Sequence, residues 1–243
     1  PYHTLHELAA RCDILTFHAP LTKTGPHPTR GLADDAFFDA VAARAKTHGP
    51  ITLLNMGRGE VFDEAAVLRA RAAGSVGHLV LDVFPGEPDV DADLLAACDL
   101  ASPHVAGYSI QGKLNGTAQV HAAFCKHFGL APRAEVAYPV PGAPVIDLAR
   151  PDLPGSVHSE HMAATPDLVH AAVRHAYPIA RDDAALRAGP PAGSPEFPAH
   201  FDALRKAYPV RHEFSGFRVT GLPDADAGFM ARQMLKRLGF RVD

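Results

Sequence analysis

Four short apolar runs, separated by segments with helical spacing, occupy the first hundred residues and constrain the fold more than any other feature. They are "DILTF" (13–17), "ITLLNM" (51–56), "HLVLDVF" (78–84) and the shorter "DLAS" (99–102). The longer runs have strand length and stay apolar instead of alternating, which is the pattern of strands buried on both faces. Between them, "DDAFFDAVAARA" (34–45) sets Phe37, Phe38, Val41 and Ala45 on one helical stripe, and "DEAAVLRARAAG" (63–74) has Asp63 as N-cap and Gly74 as stop. Thr4 and Glu7 have capping-box spacing before a short helix that runs to Arg11. Apolar strands alternating with helices specify an α/β architecture: a partial doubly wound, Rossmann-like parallel sheet with helices on both faces.

A further helix is expected from about Asn115 to Phe128, ending at Gly129. Six prolines between 131 and 155 then mark a linker, which leaves 1–130 as the sheet domain with its return helix. Residues 156–243 read as a small α+β unit. Its expected strands lie at 156–161, 212–221 and 240–242, and its helices at 165–177, 199–208 and 225–238.

Composition limits the function classes. With 47% hydrophobic and 21% charged residues the chain has a globular balance, and a net charge of −4 without a basic cluster gives no footprint for nucleic acid. The three cysteines, Cys12, Cys98 and Cys125, lack CxxC spacing and read as reduced thiols, not as a disulfide framework or zinc knuckle. No apolar run approaches the roughly 20 residues needed to cross a bilayer, and no leader opens the chain. A soluble, cytoplasmic protein without a membrane partner is the expectation.

Ligands of open α/β sheets bind beyond the carboxyl ends of the strands. There the sequence places His18 and Ala19, then Gly57-Arg58-Gly59, then Asp82 to Glu87, and finally His104. Arg58 between glycines suits a two-pronged grip on a carboxylate, although a surface arginine in a strand-to-helix turn is the commoner case. Glu87 in "PGEP" is equally readable as a solvated turn acid, and a lone histidine is most often a hydrogen-bonded structural residue. Meeting each other, Glu87 would orient the imidazole and stabilise its charged form for acid–base work. Metal readings are weak, because His121/Cys125 and His158/His161 each lack a third ligand; no metal is expected.

Taken together, "CDILTFHAPLT", "LLNMGRGEVFDEAAVLRA", "LDVFPGEPDVD" and "SPHVAGYS" resemble the cofactor domain of the NAD-dependent D-2-hydroxyacid dehydrogenases. Within that superfamily the chain is most similar to the erythronate-4-phosphate dehydrogenase family, through "HVAGYSIQGK", the long "LTKTGPHPTRGLAD" loop and the tail from about 155 to 243. The resemblance implies NAD as cofactor, oxidation of 4-phospho-D-erythronate in pyridoxal 5′-phosphate biosynthesis, and a homodimer held by the C-terminal unit. It implies that Arg58 holds the substrate carboxylate, that His104 takes the hydroxyl proton and that Glu87 supports it. Ala19, Met56, Gly57, Arg58, Asp82 and Gly107 would contact NAD, and Tyr108 the substrate. Ala19 stands where that family prefers Thr, so one cofactor hydrogen bond is expected to be lost. Residues 41–49 make that segment longer than usual.

The larger departure is that no G-x-G-x-x-G turn, and no acid about 20 residues after one, occurs in the chain. The expectation is therefore the C-terminal part of an enzyme, inactive by itself, without the N-terminal substrate domain. Two alternatives stay open: a generic D-2-hydroxyacid dehydrogenase, and a non-catalytic dimerisation fragment.

Overall fold

The computed structural model describes residues 2–131, 144–149, 165–224 and 226–243. They divide into two compact units: Pro1–Ala106 with Ile179–Tyr208, and Gly107–Pro178 with Pro209–Asp243.

In the first unit, β1 (Ile14–Phe17), β2 (Ile51–Asn55), β3 (Val76–Leu81) and β4 (Leu100–Ala101) form one parallel sheet in that spatial order. The helices α1 (Leu5–Ala9), α2 (Asp35–His48), α3 (Glu64–Ala72) and α4 (Ala92–Ala97) accompany it. Their starts follow from local chemistry. The carboxylates of Asp34, Asp63 and Asp91 accept from the backbone N–H of Phe37, Ala66 and Leu94, and Thr4 and Glu7 close a reciprocal capping box. Strands taken in sequence order through right-handed crossovers put their connecting helices on one face. The register agrees, since Leu15, Leu53 and Leu79 lie side by side and are buried. Phe17, one step on, packs edge-on to Phe37 and Phe62. Ile14, on the other face, is 64% exposed, and β1 alternates exposed and buried. Among the described residues the sheet therefore has one fully covered face, where the apolar runs predict two.

Ile179–Tyr208 supplies α7 (Ile179–Arg187) and α8 (Phe197–Lys206) to this unit, where the sequence reading places both segments in the second. The reason is apolar burial: Leu186, Phe197 and Phe201 join the core of the sheet, and Phe201 meets Phe84 edge-on. The Asp183 carboxylate also accepts from Ala101 N–H at 2.8 Å, which satisfies a donor on the edge strand β4. Arg187 donates to the carbonyls of Leu95 and Cys98 at 3.1 and 3.0 Å.

The second unit contains α5 (Ile110–Phe128), α6 (Thr165–Ala176) and α9 (Asp226–Arg237), with a parallel sheet of β5 (Val145–Asp147), β6 (Arg218–Thr220) and β7 (Arg241–Val242). Its core is built on Ile146, Val219, Leu168, Ala172, Leu235 and Phe240. Strand β5 lies within the expected linker, most of which is outside the described residues, as is the strand expected at 156–161. The strand expected at 212–221 shrinks to β6, because Phe214–Gly216 turns as a 3-10 helix. Helix α5 starts earlier than its spacing predicts, capped by Ser109, and ends at Gly129, whose φ of 65° is left-handed.

Candidate active site

The four parallel strands deliver their following loops to one edge of the first unit. At the end of β2, buried Asn55 folds the chain back on itself: its Oδ1 accepts from Gly57 N–H at 3.0 Å and its Nδ2 donates to the Arg58 carbonyl at 2.9 Å. The glycines flanking Arg58 are there for close approach. A Cβ on Gly57 would lie 2.7 Å from the Ala19 carbonyl oxygen, and one on Gly59 would lie 2.0 Å from the Phe84 carbonyl carbon. The loops after β1, β2 and β3 thus touch backbone to backbone, with Met56 N–H donating to Phe17 O at 2.9 Å.

Glu87 and His104 meet. Oε2 of Glu87 accepts from Phe84 N–H at 3.0 Å, which fixes the carboxylate in its turn, and Oε1 is hydrogen-bonded to Nδ1 of His104. An ionised carboxylate can only accept, so Nδ1 is the donor to it, and in the neutral imidazole Nε2 is then left as an acceptor. The two side chains are 23% and 21% exposed, shielded from bulk water yet reachable by a reactant. His104 has φ of 54°, the left-handed region that few non-glycine residues adopt.

Asp82 lies beneath this turn, 1% exposed. Its Oδ1 accepts from Ser102 Oγ at 2.7 Å and Val105 N–H at 2.8 Å, and its Oδ2 from Ala106 N–H at 3.0 Å. Burial pushes the Asp82 carboxyl above its ordinary value, while the three donors and the nearby imidazole pull the other way.

Arg58 is exposed, and its Nη1 donates to the Gly57 carbonyl at 2.7 Å. Gly107 and Tyr108 belong to the second unit, where the Lys113 ammonium lies 4.6 Å from the centre of the Tyr108 ring. The sequence reading passes over Asn55, and it weighs Ser102 only as a nucleophile, which it sets aside for want of a G-x-S-x-G turn. Both left a signal, since each is a polar residue at the end of an apolar strand that must find a partner once buried. His121 and Cys125 lie 3.5 Å apart, His158 and His161 are outside the described residues, and among the described residues no three His, Cys, Asp or Glu side chains are grouped to hold a metal. No described helix is long and apolar enough to cross a membrane.

The sequence is similar to known families over most of its length. Residues 1–106 match the family described as D-isomer specific 2-hydroxyacid dehydrogenase, NAD binding domain, and residues 153–239 match a domain of unknown function, DUF3410. The erythronate-4-phosphate dehydrogenase of Cellvibrio japonicus is 38% identical over 237 residues, covering 95% of this chain and 57% of its own length. That of Stutzerimonas stutzeri is 39% identical over 216 residues, covering 89% and 53%. A probable 2-hydroxyacid dehydrogenase from Rhizobium etli aligns with a TM-score of 0.42 at 28% identity, covering 53% of this chain and 39% of that one. The chain spans about half the length of the curated relatives it matches.

Fit to NAD is partial. The strand-end turns place an imidazole, a buried carboxylate and close-packed glycine backbone where open α/β sheets receive their ligands. The glycine-rich turn that would receive the pyrophosphate is not among these 243 residues. Residues 1–106 are thus similar to the NAD-binding domain of the D-isomer specific 2-hydroxyacid dehydrogenases, and the chain as a whole is similar to the erythronate-4-phosphate dehydrogenases.

Proposed function

We propose that this chain carries the proton-transfer part of an NAD-dependent dehydrogenase that oxidises 4-phospho-D-erythronate at C2 to 3-hydroxy-2-oxo-4-phosphobutanoate, in pyridoxal 5′-phosphate biosynthesis. The observation that carries this reading is the Glu87–His104 hydrogen bond at the strand ends, in a chain whose relatives bear that enzyme's name. Nε2 of His104 takes the substrate hydroxyl proton as the C2–H bond breaks, and Glu87 holds Nδ1–H and stabilises the imidazolium that results. Arg58 turns its guanidinium from the Gly57 carbonyl to the substrate carboxylate, gripping it with two N–H groups. NAD, when bound, supplies the hydride acceptor. Ala19, the Met56–Arg58 backbone, Asp82 and Gly107 are assigned to the cofactor side, and Tyr108 to the substrate. In the full-length protein His104→Ala abolishes nearly all turnover while NAD still binds, and retained turnover would refute the assignment. A panel of phosphorylated and plain 2-hydroxy acids separates this substrate from a generic one.

A second reading, a non-catalytic fragment, is favoured by the missing glycine-rich turn. Titrating this chain with NAD decides it, because micromolar binding contradicts a dead site. We also assign the protein to the cytoplasm and to a homodimer paired through 156–243. Sedimentation showing a concentration-independent monomer would rule the dimer out.

A further inference from the structure

Three successive backbone N–H groups in the turn after β4 all end on one residue. His104 N–H donates to the Asp82 carbonyl at 2.8 Å, Val105 N–H to its Oδ1 at 2.8 Å and Ala106 N–H to its Oδ2 at 3.0 Å. Ser102 Oγ adds a fourth bond, to Oδ1 at 2.7 Å, from the other side of the turn. Asp82 is itself pinned to the sheet, its N–H donating to Asn55 O at 3.0 Å. The Val105 and Ala106 N–H groups converge on the carboxylate as a concave cradle, of the kind that successive N–H groups form beside a left-handed residue. His104, with φ of 54°, is that residue. A histidine does not hold this conformation unaided, so something nearby must over-determine it.

We propose that Asp82 is the positioning residue of the proton-transfer pair: by gathering the N–H groups of residues 104 to 106 it holds His104 in the left-handed conformation from which its imidazole meets Glu87. Three of the roughly four acceptor positions of the carboxylate are occupied by this turn, which leaves at most one direction on Oδ2 for a ligand. The carboxylate therefore acts first on the histidine loop, whatever it contributes to a cofactor. Asn is a poor substitute. Its carbonyl oxygen can keep Ser102 and Val105, but its amide would point donors at the Ala106 N–H.

The kinetic part of this proposal rests on His104 being the proton carrier; the structural part does not. The test is Asp82→Asn, measured in two ways. In the 243-residue chain labelled with 15N-histidine, two-bond 15N–1H correlations report the His104 tautomer, with His104→Gln assigning the signal. Wild type is expected as the single Nδ1–H form and the variant as a mixture. In the full-length enzyme kcat, measured at saturating NAD, is expected to fall by about 10–100-fold, the scale for a misplaced reacting group. An unchanged tautomer with NAD affinity weakened tenfold or more would overturn the proposal and make Asp82 a cofactor ligand alone. If Asp82→Asn does not fold, Ser102→Ala removes one of the four bonds and keeps the charge; the same shift toward a mixture is expected, smaller in extent, and its absence also counts against the proposal. Full turnover in His104→Ala would defeat the assigned function but leave the tautomer measurement decisive for Asp82.

Discussion

Gly59→Ala tests whether the Arg58 loop and the Glu87 turn are one packed object. Gly59 lies outside the left-handed region, so alanine meets no backbone strain there and the effect is one of space. Its Cβ would sit 2.0, 2.2 and 2.3 Å from the Phe84 carbonyl carbon, the Phe84 oxygen and Pro85 N, all backbone atoms that cannot rotate away. The 84–85 backbone must retreat by about 1 Å to reach a tolerable contact, and overpacking of that kind costs roughly 3 kcal/mol. Phe84 is fully buried against Phe201, so the retreat also disturbs the core. For a unit of this size the loss corresponds to a fall in Tm of about 10 °C. The assay is urea and thermal unfolding of the 243-residue chain, beside Gly107→Ala, whose Cβ would have no neighbour within 4 Å. A loss below about 1 kcal/mol for Gly59→Ala would refute the claim that these loops are in backbone contact.

Further outcomes follow from burial and charge. Phe201→Ala is expected to destabilise the first unit by about 3–5 kcal/mol in urea unfolding, although residue 201 is nearly a hundred positions beyond β4; a surface-like loss would detach α8 from that core. Cys98, its thiol pushed up to about 12 by burial, stays unmodified by a disulfide reagent at pH 8 in the folded chain and reacts only on unfolding. Burial pushes the Asp99 carboxyl up, but the Leu79 N–H and Arg71 outweigh it and hold the group below its ordinary value. A depressed carboxyl contributes stability above its unfolded value and loses it as pH falls through the folded one. Asp99→Asn should therefore cost about 1 kcal/mol at pH 7, the pair being partly exposed, and nothing once both forms are protonated, as read from urea midpoints across the acid range.

The sheet strands and capped helices of the first unit were legible because their signals are local. Asp63 caps where its position before an apolar stripe predicts, and the runs at 13–17 and 51–56 become β1 and β2 nearly residue for residue. The run at 78–84 ends early, at Leu81, because Asp82 turns its side chain to the His104 loop and Phe84 goes to the core instead of the ladder. The position of α7 and α8 was not legible, since Leu186, Phe197 and Phe201 carry no mark of which sheet they bury against. Helix α5 was read short because Gly112 and Gly116 weaken its first turns, which the Ser109 cap restores. At the site, Arg58, Glu87 and His104 could be placed at strand ends, and the structure joins Glu87 to His104. The service of Asn55 and Asp82 beneath them depends on bonds that spacing cannot reveal.

The chain leaves the first unit at residue 106, returns at 179 and leaves again at 208, so the two units are interleaved along the polypeptide. This has a consequence for biosynthesis. As the nascent chain emerges, a peptide ending near 130 already displays all four sheet strands but still lacks Leu186, Phe197 and Phe201, and its core must wait open through some fifty further residues. By the time residue 208 completes it, α5, β5 and α6 have emerged while β6 and β7 have yet to be made. The first unit can therefore close on the ribosome ahead of the second, but only after much of the second has emerged, and a cut at the first crossing should release a sheet that aggregates for want of Leu186, Phe197 and Phe201.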